Sequence, residues 1–143
     1  MRFWDASAIV PLLTAQPRSV EATRLRRDDP EMVVWWGSVV ECTSALTRLL
    51  RERAIDRTAA ATAFEHLHAI EAEWFELEPA VDLRDQACRL LRAHPLRASD
   101  ALQLASALRL ANDLGESLSM VCYDRRLADA ARAERIVVIE SER

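Results

Sequence analysis

The sequence predicts a three-layer α/β/α protein, in which a central, mostly parallel sheet of about five short strands is covered by helices on both faces. Short aromatic or β-branched runs alternate along the chain with longer segments whose apolar residues recur at helical spacing. Hydrophobic residues make up 50% and charged residues 29% of the 143 positions, which suits one core with a polar surface. Because the sequence contains no repeat, linker or low-complexity segment, we expect residues 1–143 to form a single domain.

The first half of the chain predicts two strands and four helices. Their order is strand 2–4, helix 7–13, helix 17–28, strand 32–35, helix 38–53 and helix 58–74. Ser7 is a suitable N-cap for the first helix, and Pro17 fits the first turn of the second. Asp28-Asp29-Pro30 ends that second helix, and Gly37-Ser38 opens the third.

The second half predicts three strands and three helices. Their order is strand 75–77, a helix beginning at Pro79, a break at 94–97, helix 101–114, strand 118–122, helix 124–133 and strand 136–139. Ser99 opens the helix at 101–114, and Gly115 is a good C-cap residue for its end. In parallel sheets, chemistry collects beyond the carboxyl ends of the strands. Asp5 and Asp124 both follow a predicted strand, so we expect them at the same edge despite their distance in sequence.

The composition excludes several classes of phosphate chemistry. The chain has only two glycines, so neither a G-x-x-x-x-G-K loop nor a G-x-G-x-x-G loop can be written. All 19 basic residues are arginine, which excludes mechanisms that need a lysine, including those of phospho-receiver domains and aspartate-based phosphatases. Because the formal net charge is −4, binding of nucleic acid would need local arginine patches and a bound metal ion rather than bulk charge.

The cysteines and the hydropathy pattern predict a cytoplasmic protein without membrane attachment. Cys42, Cys88 and Cys122 are far apart and form no C-x-x-C pair, which is typical of free thiols in a reducing compartment. Asp5 lies within the first five residues and no long apolar run follows, so we expect no signal peptide. No stretch reaches the roughly 18 apolar residues that a membrane span needs.

Four acidic residues, Asp5, Glu41, Asp100 and Asp124, each follow a short apolar run or lie at the start of a helical segment. Each has a purely structural alternative. Asp5 and Asp124 can cap the helices that follow them, and Asp100 can face the positive end of its helix dipole. Glu41 can form a capping box with Ser38 by accepting a hydrogen bond from the backbone of that residue. These alternatives stay open for each acid taken singly.

Taken together, the four acids favour a metal site over four independent helix caps. Carboxylates gathered at one sheet edge repel one another, and a cation among them relieves the repulsion. Mg²⁺ and Mn²⁺ prefer oxygen ligands, and such a cation can activate water and steady a leaving oxygen. The chain offers no competing chemistry, because it lacks lysine, a glycine-rich loop, and cysteine or histidine at metal-ligand spacing.

Each of the four acids lies in a short sequence segment, and the four segments are distributed over essentially the whole chain. The segments are Phe-Trp-Asp-Ala-Ser-Ala at 3–8, Val-Val-Glu-Cys-Thr-Ser-Ala-Leu at 39–46, Pro-Leu-Arg-Ala-Ser-Asp-Ala-Leu-Gln-Leu-Ala at 95–105 and Asp-Arg-Arg-Leu-Ala-Asp-Ala-Ala at 124–131. In this order and spacing, the sequence resembles the PIN-domain ribonucleases of the VapC toxin type.

The resemblance implies a metal-dependent endoribonuclease with Asp5, Glu41, Asp100 and Asp124 as its acidic set and Mg²⁺ or Mn²⁺ as its cofactor. Asp5 and Asp100 would be the firmest metal ligands, while Glu41 and Asp124 would bind the metal directly or through water. The resemblance further implies an RNA substrate, a homodimer and neutralisation by a VapB-type antitoxin. The chain departs from the family at Cys122, where a serine or threonine often precedes the fourth acid, and a thiol is a weaker hydrogen-bond partner.

Three further residues are candidates for substrate contact. Arg97 precedes Asp100 by three positions and Arg125 follows Asp124 directly, so both can reach a phosphate; the alternative is a solvated helix face or pairing with a nearby acid. Ser7 resembles the family's hydroxyl residue near the first acid, which orients that acid or contacts phosphate. Two other functions stay open, a non-catalytic PIN module that binds RNA or a partner and a PIN nuclease outside a toxin–antitoxin system. The presence of all four acids favours an active nuclease.

Overall fold

Five short strands form one parallel sheet in the computed structural model of the chain, which describes residues 1–140. The strands are β1 (Arg2–Trp4), β2 (Met32–Trp35), β3 (Phe75–Leu77), β4 (Ser119–Val121) and β5 (Val137–Ile139). Their order across the sheet is β3-β2-β1-β4-β5, and every neighbouring pair is parallel. The predicted sheet and its five strands are confirmed.

Seven helices connect these strands within residues 1–140. They are α1 (Ala6–Leu13), α2 (Ser19–Asp28), α3 (Ser38–Arg51), α4 (Arg57–Glu71), α5 (Val81–Ala93), α6 (Ala98–Leu114) and α7 (Arg125–Ala133). Their order agrees with the prediction, and Gly115 ends α6 in the left-handed conformation with φ 65°, which confirms its predicted capping role. None of these helices combines the length and apolar character that crossing a bilayer requires.

Some predicted helix starts are wrong because other side chains or turns set them. Asp5, and not Ser7, is the N-cap of α1, since its carboxylate accepts a hydrogen bond from the Ser7 backbone N–H at 3.0 Å. Pro17 does not lie in the first helical turn, because residues 17 and 18 form a turn and α2 begins at Ser19. The helix α6 begins at Ala98, before the predicted opening residue.

The predicted helix 58–74 ends at Glu71, where the chain turns back towards the sheet. Trp74 lies in that turn, and its backbone N–H donates to the carbonyl oxygen of Ile70 at 3.1 Å. Its indole is buried and donates to Glu76 at 3.0 Å. The turn therefore buries a large side chain immediately before β3, which a helix continued to residue 74 would not allow.

The sheet separates two hydrophobic cores, as expected for a three-layer fold. Because successive side chains of a strand point to opposite faces, Phe3 packs with α5, α6 and α7 while Trp4 packs with α1 to α4. Both side chains are fully buried. The helices α1–α4 therefore cover one face and α5–α7 cover the other, which confirms the predicted α/β/α layering.

The central strand β1 lies where the chain order across the sheet reverses. β2 and β3 lie on one side of it and β4 and β5 on the other. Asp5 follows β1 directly, and its backbone N–H donates to the carbonyl oxygen of Val121 in β4 at 3.0 Å. In open parallel sheets, ligands bind in the crevice outside this reversal point. The fold therefore places Asp5 at the position where a site is expected.

Candidate active site

Four acidic side chains from four different parts of the fold line one cavity at the carboxyl edge of the sheet. Asp5 follows β1 and Asp124 lies between β4 and α7, while Glu41 and Asp100 lie in the first turns of α3 and α6. The cavity has a volume of about 530 Å³. The structure thus brings together all four acids that the sequence singled out.

Asp5 is the most deeply placed of the four acids, with 4% of its surface exposed. Burial, with smaller contributions from the negative charges of Asp100 and Asp124, raises the pKa of Asp5 from 3.8 to about 6, and the hydrogen bonding from Ser7 opposes this shift. The raised pKa means that ionisation of the Asp5 carboxyl group is unfavourable at this buried position.

Glu41 does not form the predicted capping box with Ser38. Gly37 is the N-cap of α3 and makes no side-chain cap, while Ser38 is buried in the first turn. Instead, Oε2 of Glu41 accepts a hydrogen bond from Gln103 Nε2 at 3.0 Å. Burial raises the pKa of Glu41 to about 7, with the charges of Asp5 and Asp100 adding to the shift and the Gln103 hydrogen bond opposing it.

Asp100 and Asp124 each accept a backbone hydrogen bond at the start of a helix. Asp124 is the N-cap of α7, where its Oδ1 accepts from the Leu127 backbone N–H at 2.9 Å, so its predicted capping role is correct. Asp100 is 7% exposed, and its Oδ2 accepts from the backbone N–H of Arg97, the N-cap residue of α6, at 3.4 Å.

In each of the four carboxylates, one oxygen accepts a hydrogen bond from the protein and the other does not. Asp5 and Asp100 use Oδ2, Glu41 uses Oε2 and Asp124 uses Oδ1 for the hydrogen bonds described above. The other oxygen of each acid has no hydrogen-bond donor among residues 1–140. Helix capping and metal binding therefore use different oxygen atoms. For Asp5 and Asp124, a role as helix cap does not exclude a role as metal ligand.

Arg97 brings a positive charge to the acidic cluster. Its Nε lies 3.3 Å from Oδ2 of Asp100, and its Nη2 lies 3.9 Å from Oδ2 of Asp124. The alternative that Arg97 pairs with nearby acids is therefore correct. Because 72% of its side chain is exposed, solvent screens both contacts and the guanidinium can turn towards a phosphate at little cost.

Further arginines flank the cluster on two sides. Arg125 and Arg126 are exposed and line an adjoining cavity of about 330 Å³ that shares Asp100 and Asp124 with the main one. Arg48 of α3, a helix on the other face of the sheet from α7, also lines the main cavity. None of these three arginines has a carboxylate within 4.0 Å among the residues that the structure describes, so their charges are available to a ligand.

Ser7 connects the first and fourth acids through the backbone. Its hydroxyl oxygen accepts hydrogen bonds from the backbone N–H groups of Tyr123 at 2.9 Å and Asp124 at 3.2 Å. The buried Cys122 thiol donates to the Asp124 carbonyl oxygen at 3.4 Å and lies 3.9 Å from Asp5 Oδ2. Ser7 and Cys122 therefore both contact the backbone that carries Asp124.

Gln103 is a site residue that the sequence analysis missed. It lies on α6 three residues after Asp100, is fully buried, and bridges Glu41 Oε2 and Ser38 Oγ, the latter at 3.2 Å. The signal available in the sequence was an amide between Leu102 and Leu104 on a helix that is otherwise apolar around it.

The donor set of the cluster suits a hard divalent cation. It consists of carboxylate oxygens, the ligands that Mg²⁺ and Mn²⁺ prefer, and the raised pKa values of Asp5 and Glu41 indicate negative charge that a cation would stabilise. As positioned, no three acidic, histidine or cysteine side chains within residues 1–140 converge closely enough to share one ion. The ligands are thus present but spread wider than a bound cation requires.

The sequence is similar to that of a bacterial ribonuclease. It is 32% identical over 144 residues to ribonuclease VapC45 of Mycobacterium tuberculosis (strain CDC 1551 / Oshkosh), and the match covers 92% of this chain and 89% of that protein. No family model matches the chain. The similarity extends across nearly the whole of both proteins, so it includes the sheet and the cavity at its edge.

The fold is similar to that of a solved bacterial toxin and to that of a chain in a solved toxin–antitoxin complex. The crystal structure of Mycobacterium tuberculosis VapC20, described as a sarcin-ricin loop cleaving toxin, matches with a TM-score of 0.65 and 21% identity, covering 91% of this chain and 95% of that one. A toxin–antitoxin complex from Klebsiella pneumoniae matches with a TM-score of 0.62 and 14% identity, covering 90% and 91%. At these identities the matches show a shared fold.

Proposed function

The chain belongs to the VapC family of PIN-domain ribonucleases, and we propose that it is a metal-dependent endoribonuclease that acts as the toxin of a toxin–antitoxin pair. The observation that carries the proposal is the cavity lined by four carboxylates, each of which has one oxygen without a hydrogen bond from residues 1–140. The chemistry is hydrolysis of RNA phosphodiester bonds, and the site of action is the cytoplasm.

The proposed metal ligands are the four acids, with Mg²⁺ or Mn²⁺ as the cation. Asp5 and Asp100 are the firmest ligands in this proposal, and Glu41 and Asp124 bind directly or through water. When bound, the cation supplies a nucleophile at neutral pH and neutralises charge on the scissile phosphate. The buried position of Asp5 supports its place in this set, because a buried carboxylate gains more from a cation than an exposed one does.

We assign the phosphate contacts to the arginines around the cluster and to Ser7. Arg97 and Arg125 line a cavity beside Asp100 and Asp124, and Arg48 lines the main cavity with the four acids, so an RNA strand that crosses the cluster can meet several positive charges. Ser7 lines the same cavity beside Asp5, so its hydroxyl is a further candidate contact for a phosphate oxygen.

We propose a VapB-type antitoxin as the protein partner and a homodimer as the assembly. A groove of about 530 Å³ between α2 and α4, which includes Leu12, Pro30 and Ile70, offers an apolar surface for an antitoxin segment. The edge strand β3 exposes Phe75, with 62% of its surface accessible, and an exposed strand edge of this kind is suited to pairing with a second copy.

The proposal is tested by incubating the purified protein with RNA in the presence of Mg²⁺ or Mn²⁺. We expect cleavage that EDTA stops and that Asp5→Ala or Asp100→Ala abolishes. Asp129→Ala is the matched control, because Asp129 is an exposed acid of α7 that pairs with Arg132 away from the cavity. Cleavage that survives EDTA or the Asp100→Ala substitution would exclude the metal mechanism.

Two outcomes separate the toxin proposal from its alternatives. A non-catalytic module binds RNA without cleaving it under any of these conditions. A PIN nuclease outside a toxin–antitoxin system cleaves RNA but has no small antitoxin gene beside its own. A toxin arrests growth when it is expressed alone, and co-expression of the adjacent gene restores growth.

A further inference from the structure

Gln103 joins the first turn of α3 to α6 inside the core. It follows Asp100 by three positions on α6, so the two side chains lie on the same side of the helix. Its Nε2 lies 3.0 Å from Oε2 of Glu41 and 3.2 Å from Oγ of Ser38. Because Ser38 is the first residue of α3 and is itself buried, this amide fixes the start of α3 against α6.

The same amide carries an unsatisfied oxygen. Oε1 of Gln103 is buried and has no hydrogen-bond partner among residues 1–140. Nearly all buried polar atoms in proteins are hydrogen-bonded, since an unpaired one reduces stability. Methionine has a similar length and would fill this position without a buried carbonyl. The hydrogen bond that the amide donates to Glu41 therefore explains its presence better than its contribution to packing does.

We infer that Gln103 is a positioning residue for the metal site. Ser38 fixes the Gln103 amide, which donates to Oε2 of Glu41 and so sets the rotation of the Glu41 carboxylate. The other carboxylate oxygen, Oε1 of Glu41, has no hydrogen-bond donor among the described residues and is left for a divalent cation. The inference rests on the proposed metal-dependent function and concerns how one of the four ligands is held. Hydrogen bonds of this kind to metal-ligating carboxylates orient them and strengthen the site.

The test measures Mn²⁺ binding by isothermal titration calorimetry, together with the melting temperature of the metal-free protein. Gln103→Met should weaken Mn²⁺ binding by about 10-fold or more, the effect typical of losing a partner that orients a ligand. The melting temperature shows that the variant is folded; the substitution removes the unpaired carbonyl but also the donor to Glu41 and Ser38, so a moderate change is compatible with the inference. Gln103→His keeps a ring N–H donor and should restore most of the affinity.

Ser106→Ala is the matched control. Ser106 is a buried polar residue on the same helix, and its hydroxyl donates to the carbonyl oxygen of Leu102 rather than to the acidic cluster. We expect its Mn²⁺ affinity to equal that of the wild type. Unchanged affinity in Gln103→Met, or an equal loss in Ser106→Ala, would overturn the inference alone. A wild-type protein that does not bind Mn²⁺ would overturn the proposed metal mechanism and the inference with it.

Discussion

The carboxylate of Asp5 performs a structural task with one oxygen and faces the acidic cavity with the other. Its Oδ2 caps α1 through the Ser7 backbone N–H, and Oδ1 has no donor among residues 1–140. Asp124 divides its oxygens in the same way at the start of α7. At the residue scale, helix capping thus holds these two acids in place and leaves one oxygen of each for a ligand.

Asp5→Asn should separate the structural task of Asp5 from its charge. Asparagine caps helices as well as aspartate does, but it removes the buried charge whose pKa is raised to about 6. In the absence of metal at pH 7.5, we expect the free energy of unfolding to rise by about 1–3 kcal/mol. We also expect RNA cleavage to be lost. Denaturant unfolding and a cleavage assay measure the two effects.

Asp56→Asn provides the control for that substitution. Asp56 caps α4 by accepting from the Ala59 backbone N–H at 2.7 Å, but it is exposed and lies away from the acidic cavity. We expect neither stability nor cleavage to change measurably. A loss of stability in Asp5→Asn would show that the buried negative charge is not a burden on the metal-free fold.

At the scale of elements, the start of α3 depends on a close approach between two residues. A Cβ atom at Gly37 would clash with Nε1 of the Trp35 indole and lie 3.1 Å from its Cδ1. Trp35 is 7% exposed, so its ring has little room to move. The absence of a side chain at Gly37 therefore lets the buried indole pack against the residue that precedes α3, the helix that carries Glu41.

Gly37→Ala should destabilise the protein by about 1–3 kcal/mol, the usual range for overpacking a core position. The measurement is denaturant unfolding, read by far-UV circular dichroism. In a Trp35→Leu background the same substitution should cost much less, because the indole that it clashes with is gone. Equal costs in the two backgrounds would contradict the proposed contact.

The helix α3 also carries Arg48, two turns after Glu41 and on the wall of the same cavity. If Arg48 contacts an RNA phosphate, Arg48→Ala should weaken RNA binding and reduce the slope of log K against log salt by about 0.7, the value for one contact with a single strand. Binding is measured by fluorescence anisotropy in the Asp100→Ala background, which prevents cleavage.

Arg51→Ala is the matched control for the Arg48 variant. Arg51 is an exposed arginine on the last turn of the same helix and does not line the acidic cavity. Its loss changes the net charge equally but should leave the salt slope unchanged. Equal slopes for the two variants would assign the effect of Arg48 to general charge rather than to a phosphate contact.

At the scale of the whole molecule, the acidic cluster should make the metal-free protein less stable as pH rises. The pKa of Asp5 is raised from 3.8 to about 6 and that of Glu41 from 4.5 to about 7. The folded state therefore binds more protons than the unfolded state between about pH 4 and 7, and the free energy of unfolding falls across that window. Asp29 and Glu134 act in the opposite direction, but their lowered pKa values confine their effect to more acidic conditions.

Thermal unfolding between pH 5 and 7.5 in the presence of EDTA measures this effect. We expect the melting temperature to fall with pH, and Mn²⁺ to restore it at pH 7.5 because a cation stabilises the ionised carboxylates. Asp5→Asn should flatten part of the dependence, which isolates the contribution of Asp5 from those of other groups. A melting temperature that rises across this window would contradict the predicted coupling.

Local signals were sufficient to predict the elements of this fold. The strand at residues 2–4 and the helix ended by Gly115 both follow from short-range patterns, and so does the expectation that Asp5 and Asp124 meet at one edge. The incorrect helix boundaries arose where a distant contact decided the outcome. Trp74 lies in a turn because its indole packs in the core and bonds to Glu76, which the helical periodicity of residues 58–74 does not reveal.

By itself, the sequence determined the α/β/α class, the order of the elements and the four acids that line the cavity, because periodicity and residue chemistry are local properties. Only the tertiary structure decided which oxygen of each acid is engaged, that Glu41 bonds to Gln103 instead of capping α3, and that Arg97 approaches Asp100 and Asp124 together. These features depend on how α3 and α6 meet at the end of the sheet. A hydrogen bond between residues 62 positions apart exists only once the packing of two helices has fixed the distance between them.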